Sequence, residues 1–139
     1  MHVENRVHPD PEQIQAFQQP GPAGPIVMVN LLKFRDRAAY ADGRPDGGSG
    51  RDAFQRYGIG FAPLLHGIGG RVLYTGDISL LALGRTDELW DAVAVVEYPS
   101  RAAFFRLATS PEYLEVSVHR DAGLEGQLLL ETTPGALRT

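Results

Sequence analysis

The stretch Ile26-Val27-Met28-Val29-Asn30-Leu31-Leu32-Lys33-Phe34 is apolar at odd and even positions alike, except at Asn30 and Lys33. A strand with one wet face alternates apolar and polar residues, whereas a continuous apolar run belongs to a strand covered on both sides. Ala92 to Val96 repeats the pattern inside a strand expected over Trp90 to Tyr98. Whatever this chain folds into has to cover both faces of at least two strands.

The elements around these strands follow from local signals. Asp10-Pro11-Glu12-Gln13 reads as a capping box with proline in the first helical position, and Pro20-Gly21-Pro22 stops that helix. Ile14 and Phe17 are its only anchors, so it is expected to sit on the domain as an appendage. A polar excursion, Arg35 to Gly50, is long enough for a flap and ends in Asp46-Gly47-Gly48-Ser49-Gly50. Ser49 or Asp52 then caps a helix whose Phe54, Tyr57, Phe61, Leu64 and Leu65 share a face. Gly58 and Gly60 weaken this helix by about 1 kcal/mol each, with close packing on the sheet as the expected compensation. A second strand is expected over Arg71 to Leu83, with a bulge at Gly76-Asp77. Helices capped by Ser100 and Ser110 follow the third strand, the first ending at Ala108 and the second at about Asp121. Gln127 to Thr132 makes the last strand, and a tail begins at Pro134.

After the first helix the order is β-α-β-β-α-β, the ferredoxin-like split βαβ arrangement: an α+β fold, an antiparallel sheet with helices on one face. Helices cover only that face. The other face of the two apolar strands therefore calls for a second copy, because a soluble monomer seldom exposes so large an apolar patch. One domain is expected over 1–139, with a helix and linker over 10–25 and the core over 26–134.

Composition narrows the function classes. Acidic residues outnumber Lys and Arg by 17 to 13, which gives no electrostatic handle on nucleic acid or anionic membranes. The absence of cysteine excludes disulfides, thiolate metal sites and a cysteine nucleophile. No run approaches the ~20 apolar residues of a membrane span, and the first ten residues lack the pattern of a secretion signal; a cytoplasmic location is the expectation. His2, His8, His66 and His119 are scattered, with no metal-ligand spacing. Neither a nucleophile elbow, a dinucleotide fingerprint nor a phosphate loop is present. No metal and no cofactor is expected, and haem held by His66 or His119 is a distant third reading.

Met28-Val29-Asn30-Leu31-Leu32-Lys33-Phe34, Trp90-Asp91, Tyr98-Pro99-Ser100, Ser110-Pro111-Glu112-Tyr113 and His119-Arg120-Asp121-Ala122-Gly123-Leu124, taken in order, resemble the domain-of-unknown-function family 1330. The resemblance spans about Asp10 to Pro134. It implies membership of the dimeric α/β-barrel superfamily, and hence a barrel-forming homodimer. It implies no particular chemistry: the superfamily holds cofactor-free quinol monooxygenases, muconolactone isomerases, haem enzymes and plain ligand binders, and fold alone does not choose among them.

Residue by residue, the polar candidates are few. Asn30 is an amide within an apolar strand, able to polarise a ligand carbonyl or to satisfy a nearby backbone; Lys33 falls on the opposite face. Arg120 shares a helix face with Tyr113 and suits a carboxylate. Next to it, His119 is a candidate base, or else a surface partner of Glu115. Tyr57, Trp90 and Tyr113 would form the wall that stacks a flat molecule, with Tyr74 and Phe104 as further large aromatics near the sheet. Two functions stand side by side. One is a cofactor-independent enzyme, monooxygenase- or isomerase-like, acting on a small flat organic acid or phenol, with His119 and Asn30 as catalytic residues and Arg120, Tyr57, Trp90, Tyr113 and Asn30 binding substrate. The other is a non-catalytic ligand-binding or structural homodimer.

Overall fold

The computed structural model of the chain describes residues 2–45, 47–135 and 137. Asp46 of the glycine-rich excursion and Ala136, Arg138 and Thr139 of the expected tail lie outside the described residues. Helix α1 (Pro11–Phe17) precedes strand β1 (Ile26–Phe34), helix α2 (Gly50–Gly67), strands β2 (Arg71–Asp77) and β3 (Ala92–Tyr98), helices α3 (Arg101–Ala108) and α4 (Pro111–Gly123), and strand β4 (Leu124–Thr132). The sheet runs β2-β3-β1-β4 with every pair antiparallel, the ferredoxin-like order expected from the sequence.

Capping explains the helix starts. Asp10 and Ser49 each complete a reciprocal capping box, with Gln13 and Asp52 respectively. Ser49 is thus the cap of α2 and Asp52 its partner three residues on. Ser100 and Ser110 accept from Ala103 N and Tyr113 N.

Three strand limits differ from expectation. β2 stops at Asp77, six residues before Leu83, because its neighbour β3 starts only at Ala92. Asp91, which precedes β3, donates its amide to Leu32 O at 2.8 Å and accepts from Phe34 N at 2.8 Å with its carboxylate. The bulge lies between Val72 and Tyr74, not at Gly76-Asp77. β4 starts at Leu124, three residues early, since α4 passes directly into a strand that pairs Leu124 with Phe34.

Residues of even number in β1 face the helices and odd ones face away, so Asn30 and Lys33 lie on opposite sides of the sheet. Ile26, Met28, Val96 and Tyr98 form one buried cluster with Phe61, Leu65 and Leu107, while Leu32, Ala92 and Leu124 form a second. Asn30 sits between the two. On the far face, Val27, Val29 and Leu31 lie beside Val93, Val95, Leu128 and Leu130. There Leu130 and, from β2, Tyr74 stay 50% and 60% exposed. The apolar second face predicted from β1 and β3 is present.

Gly50 and Gly60 of α2 pack against α4, not on the sheet. A Cβ at Gly60 would stand 2.6 Å from Val116 of α4, and one at Gly50 would meet the carbonyl oxygens of Arg35 and Gly123, whereas Gly58 has open space around it. These contacts let α2 and α4 cross with their backbones nearly touching. Gly50→Ala is therefore expected to destabilise the fold by about 3 kcal/mol or more, since main-chain atoms cannot step aside as side chains do. Gly58→Ala should stabilise it by about 0.5–1 kcal/mol through helix propensity. Urea midpoints of the two variants and the parent protein check both signs.

Candidate functional site

The helix-side face of the sheet carries Asn30 among the apolar residues of β1, and the site grows from it. Unpaired, the Asn30 amide would cost about 1–3 kcal/mol to bury. Asn30 Nδ2 donates to the backbone carbonyls of Met28, at 3.3 Å, and Ala94, at 3.1 Å. Gln127, on the same face of β4, donates from Nε2 to Asn30 Oδ1 at 2.7 Å. Arg120 of α4 donates from Nη2 to Gln127 Oε1 at 2.7 Å and to Val7 O at 2.7 Å, and from Nη1 to Asp121 Oδ1 at 3.0 Å. A half-buried strand residue is thereby joined to a half-buried guanidinium through one glutamine.

Asn30, Gln127 and Arg120 open onto a cavity of about 850 Å³. The sheet forms its floor, α3 and α4 its sides, and residues of the N-terminal segment from Glu4 through α1 its remaining wall. Phe17 of α1 packs on Phe104 with ring centroids 5.4 Å apart, and Arg101 Nη1 reaches the carbonyls of Ala16, Gln19 and Pro20 near the end of α1. The first helix, which buries none of its residues, sits on the domain as an appendage and also lines the cavity. Trp90 Nε1 donates to Asn5 Oδ1 at 2.8 Å, and Arg6 exchanges main-chain bonds with Gln127, so the segment is held at several points.

Tyr57 and Tyr113 are among the aromatic residues of the lining, with Phe61, Tyr98 and Phe104. The Tyr57 and Tyr113 hydroxyls are 3.1 Å apart, and the two rings meet edge to face. Burial, reinforced by the neighbouring Tyr113 phenol, pushes the Tyr57 hydroxyl well above its usual proton affinity. Burial also raises Tyr98. Both phenols stay protonated and offer O–H groups, not phenolates. At another part of the lining, Arg101 and Glu131 form a two-pronged ion pair at 2.7 and 2.6 Å; that bond holds the Glu131 carboxyl below its usual range.

Of the residues singled out from the sequence, Asn30, Arg120, Tyr57 and Tyr113 converge on this cavity; His119 and Trp90 are not among its lining residues. His119 lies on the flank of α4 turned toward the segment between β1 and α2. Its Nδ1 is 2.6 Å from the Tyr40 hydroxyl and not paired with Glu115; that hydroxyl in turn accepts from Arg56 Nε at 3.1 Å. Trp90 is tied to Asn5 instead of stacking in the wall. The described residues of the excursion do not line the cavity: Ala39 N bonds Ala122 O and Tyr40 packs on His119, which fastens them to α4. Gln127 and the Arg101–Glu131 pair were missed. Alternation does place Gln127 on one face of β4 with Leu129 and Glu131, but which face is inward and what lies opposite comes only from pairing. Among the described residues no group of three or more His, Asp or Glu is placed to hold a metal ion.

Burial is the main cause that lowers the His119 proton affinity, and the nearby Arg44 and Arg56 charges add to it. The folded protein then binds the imidazolium proton less readily than the unfolded chain does. Stability from this group is whole above the unfolded value of about 6.5 and falls as pH drops below it. Going from about pH 7.5 to about pH 5.5, the parent protein should lose more of its urea midpoint than His119→Gln, which keeps an acceptor for Tyr40 without a titrating ring. Equal losses in the two proteins would remove His119 as the cause.

Residues 49–132 match the profile of a domain of unknown function, DUF1330. The solved structure of RPA0582, a protein of unknown function from Rhodopseudomonas palustris, is 35% identical with a TM-score of 0.85, and covers 96% of this chain and 100% of its own. The methylated form of RPA0582 is 37% identical at the same TM-score, covering 95% and 96%. A dimeric protein of unknown function and ferredoxin-like fold from Bacteroides fragilis is similar in fold alone, at 14% identity and a TM-score of 0.51 over 78% of this chain and 94% of its own. No curated protein matches the chain.

Proposed function

As the chain belongs to the DUF1330 family, whose function is unknown, we propose from its geometry that it is a homodimer that binds a small flat organic acid or phenol in the cavity between sheet, α3, α4 and the N-terminal segment. The observation that carries the reading is the convergence of the Arg120–Gln127–Asn30 chain and the Tyr57–Tyr113 pair on one mostly apolar cavity of about 850 Å³. Pockets of ~300–1,000 Å³ with apolar walls and a few placed polar groups are the usual form of small-molecule sites. Arg120 keeps its Nε–H and one Nη1–H outside the bonds described above, enough to meet a carboxylate or a phenol oxygen. Tyr57 and Tyr113 share one hydrogen bond between two hydroxyls, so one O–H remains for an acceptor.

Binding without turnover is favoured over a monooxygenase- or isomerase-like reaction. The base that such a reaction would draw from His119 faces Tyr40, away from the cavity. Tyr57 and Tyr98 move away from neutrality and not toward it, the opposite of what general acid–base work at neutral pH calls for. Asn30, with both amide hydrogens spent on backbone, serves the architecture before it serves a ligand.

The homodimer rests on the far face of the sheet, where Val29, Leu31, Val93, Val95, Leu128 and Leu130 form an apolar surface. Beyond β2, Leu80 and Leu83 are also exposed, at 74% and 89%. The B. fragilis protein of ferredoxin-like fold is itself dimeric, which supports the reading.

Native mass spectrometry of the purified protein with salicylate, which joins a carboxylate to a phenol, tests both parts. A dimer that takes up salicylate is expected, and Arg120→Ala should weaken uptake about tenfold or more through loss of charge-assisted hydrogen bonds. A parent protein that takes up neither salicylate nor other aromatic acids and phenols would overturn the binding reading. Leu130→Asp should give folded monomer; a variant that stays dimeric would move the interface elsewhere.

A further inference from the structure

A backbone carbonyl can only accept a hydrogen bond. Since Asn30 faces the carbonyls of Met28 and Ala94 with one end of its amide, that end is Nδ2 and the other is the acceptor Oδ1. Gln127 must then present Nε2 to Asn30, leaving Oε1 for the guanidinium, which only donates. Two β-strand carbonyls thus set the direction of every bond out to Arg120. The residue in the middle is also pinned by its main chain, for Gln127 N donates to Arg6 O at 2.9 Å and Arg6 N donates to Gln127 O at 3.5 Å.

We propose that Gln127 is a positioning residue that makes the cavity select anions over neutral molecules of the same shape, by aiming Arg120 without cancelling its charge. This deepens the binding reading above and rests on it. Gln127 Oε1 and Val7 O take both hydrogens of Nη2, which fixes the guanidinium plane through neutral acceptors and leaves Nε–H and Nη1–H for the ligand. A carboxylate at position 127 would reach as far, but it would form an ion pair with Arg120 and turn an oxygen, with no proton to donate, toward Asn30 Oδ1. Asp121 is the acid that does bond Arg120. It does so at Nη1, from a side chain 39% exposed that also stands 3.6 Å from His8 Nε2, so solvent screens it more than it would a group at the bottom of the cavity. The remaining acids of the lining are engaged elsewhere: Glu131 with Arg101, Glu4 with Arg6, and Asp10 in the cap of α1.

Titration calorimetry with salicylate and its neutral amide, salicylamide, on the parent protein, Gln127→Glu and Gln127→Met reads the assignment. The parent protein is expected to prefer salicylate. Gln127→Glu should lose about tenfold or more in salicylate affinity while salicylamide stays within about twofold. Gln127→Met removes both side-chain bonds without adding charge. It should show the same bias with a smaller loss, about three- to tenfold, and it carries the comparison if the glutamate variant does not fold. Equal losses for both probes, an unchanged salicylate affinity, or a parent protein with no preference would each overturn the role of Gln127. A parent protein that binds neither probe overturns the binding reading itself, a result separate from all of these.

Discussion

Placing one half-buried carboxamide in the centre of the sheet imposes a demand that three elements meet together. Asn30 stands in β1, one of the two central strands, and between the two apolar clusters that fill the helix side of the sheet. Its hydrogens go to β1 itself and to β3, and its oxygen goes to a side chain of β4. The cost of leaving any of these unmade is comparable to a large share of a small domain's net stability. The amide therefore ties the register of three strands to the orientation of Gln127, and through it to a cation on α4. The cavity lies where that polar chain divides the core.

The helical layer is set by a different constraint. Gly50 and Gly123 allow the start of α2 and the end of α4 to approach until main-chain atoms touch, and Arg35 joins the same knot through bonds to Gly123 O and from Gly50 N. With α2 drawn onto α4, Tyr57 of α2 reaches Tyr113 of α4, which makes the phenol pair a consequence of glycine packing. The N-terminal segment then encloses what α3 and α4 leave open, held by Arg101 at the end of α1 and by Arg120 at Val7. Each arginine does two things: it anchors the wall and it lines the space behind it.

Much of this was legible in the chain. Element order, the four caps, the two-faced strands, and the opposition of Asn30 and Lys33 follow from short-range chemistry and period-two or 3.6 patterns. So does the shared face of Tyr113 and Arg120. His119 illustrates the limit: it neighbours Arg120 in sequence, yet a helix turns about 100° per residue, and that step carries it to Tyr40 and away from the cavity. Trp90 illustrates another, because the strand expected from residue 90 starts at 92, after an Asp91 that bonds Leu32 and Phe34. Gln127 carries no local signal at all, since in sequence it is one polar residue among several in β4.

By itself the sequence determined the ferredoxin-like fold, its helix starts, and an apolar surface on both sides of the sheet, because each of these is written in the spacing of neighbouring residues. Which polar residues meet was decided only by tertiary structure. Asn30, Gln127 and Arg120 are separated by up to 97 positions, and the hydrogen bonds that join them depend on strand register and on a helix crossing governed by glycines. Local patterns specify faces, but they carry no record of which face comes to stand opposite which.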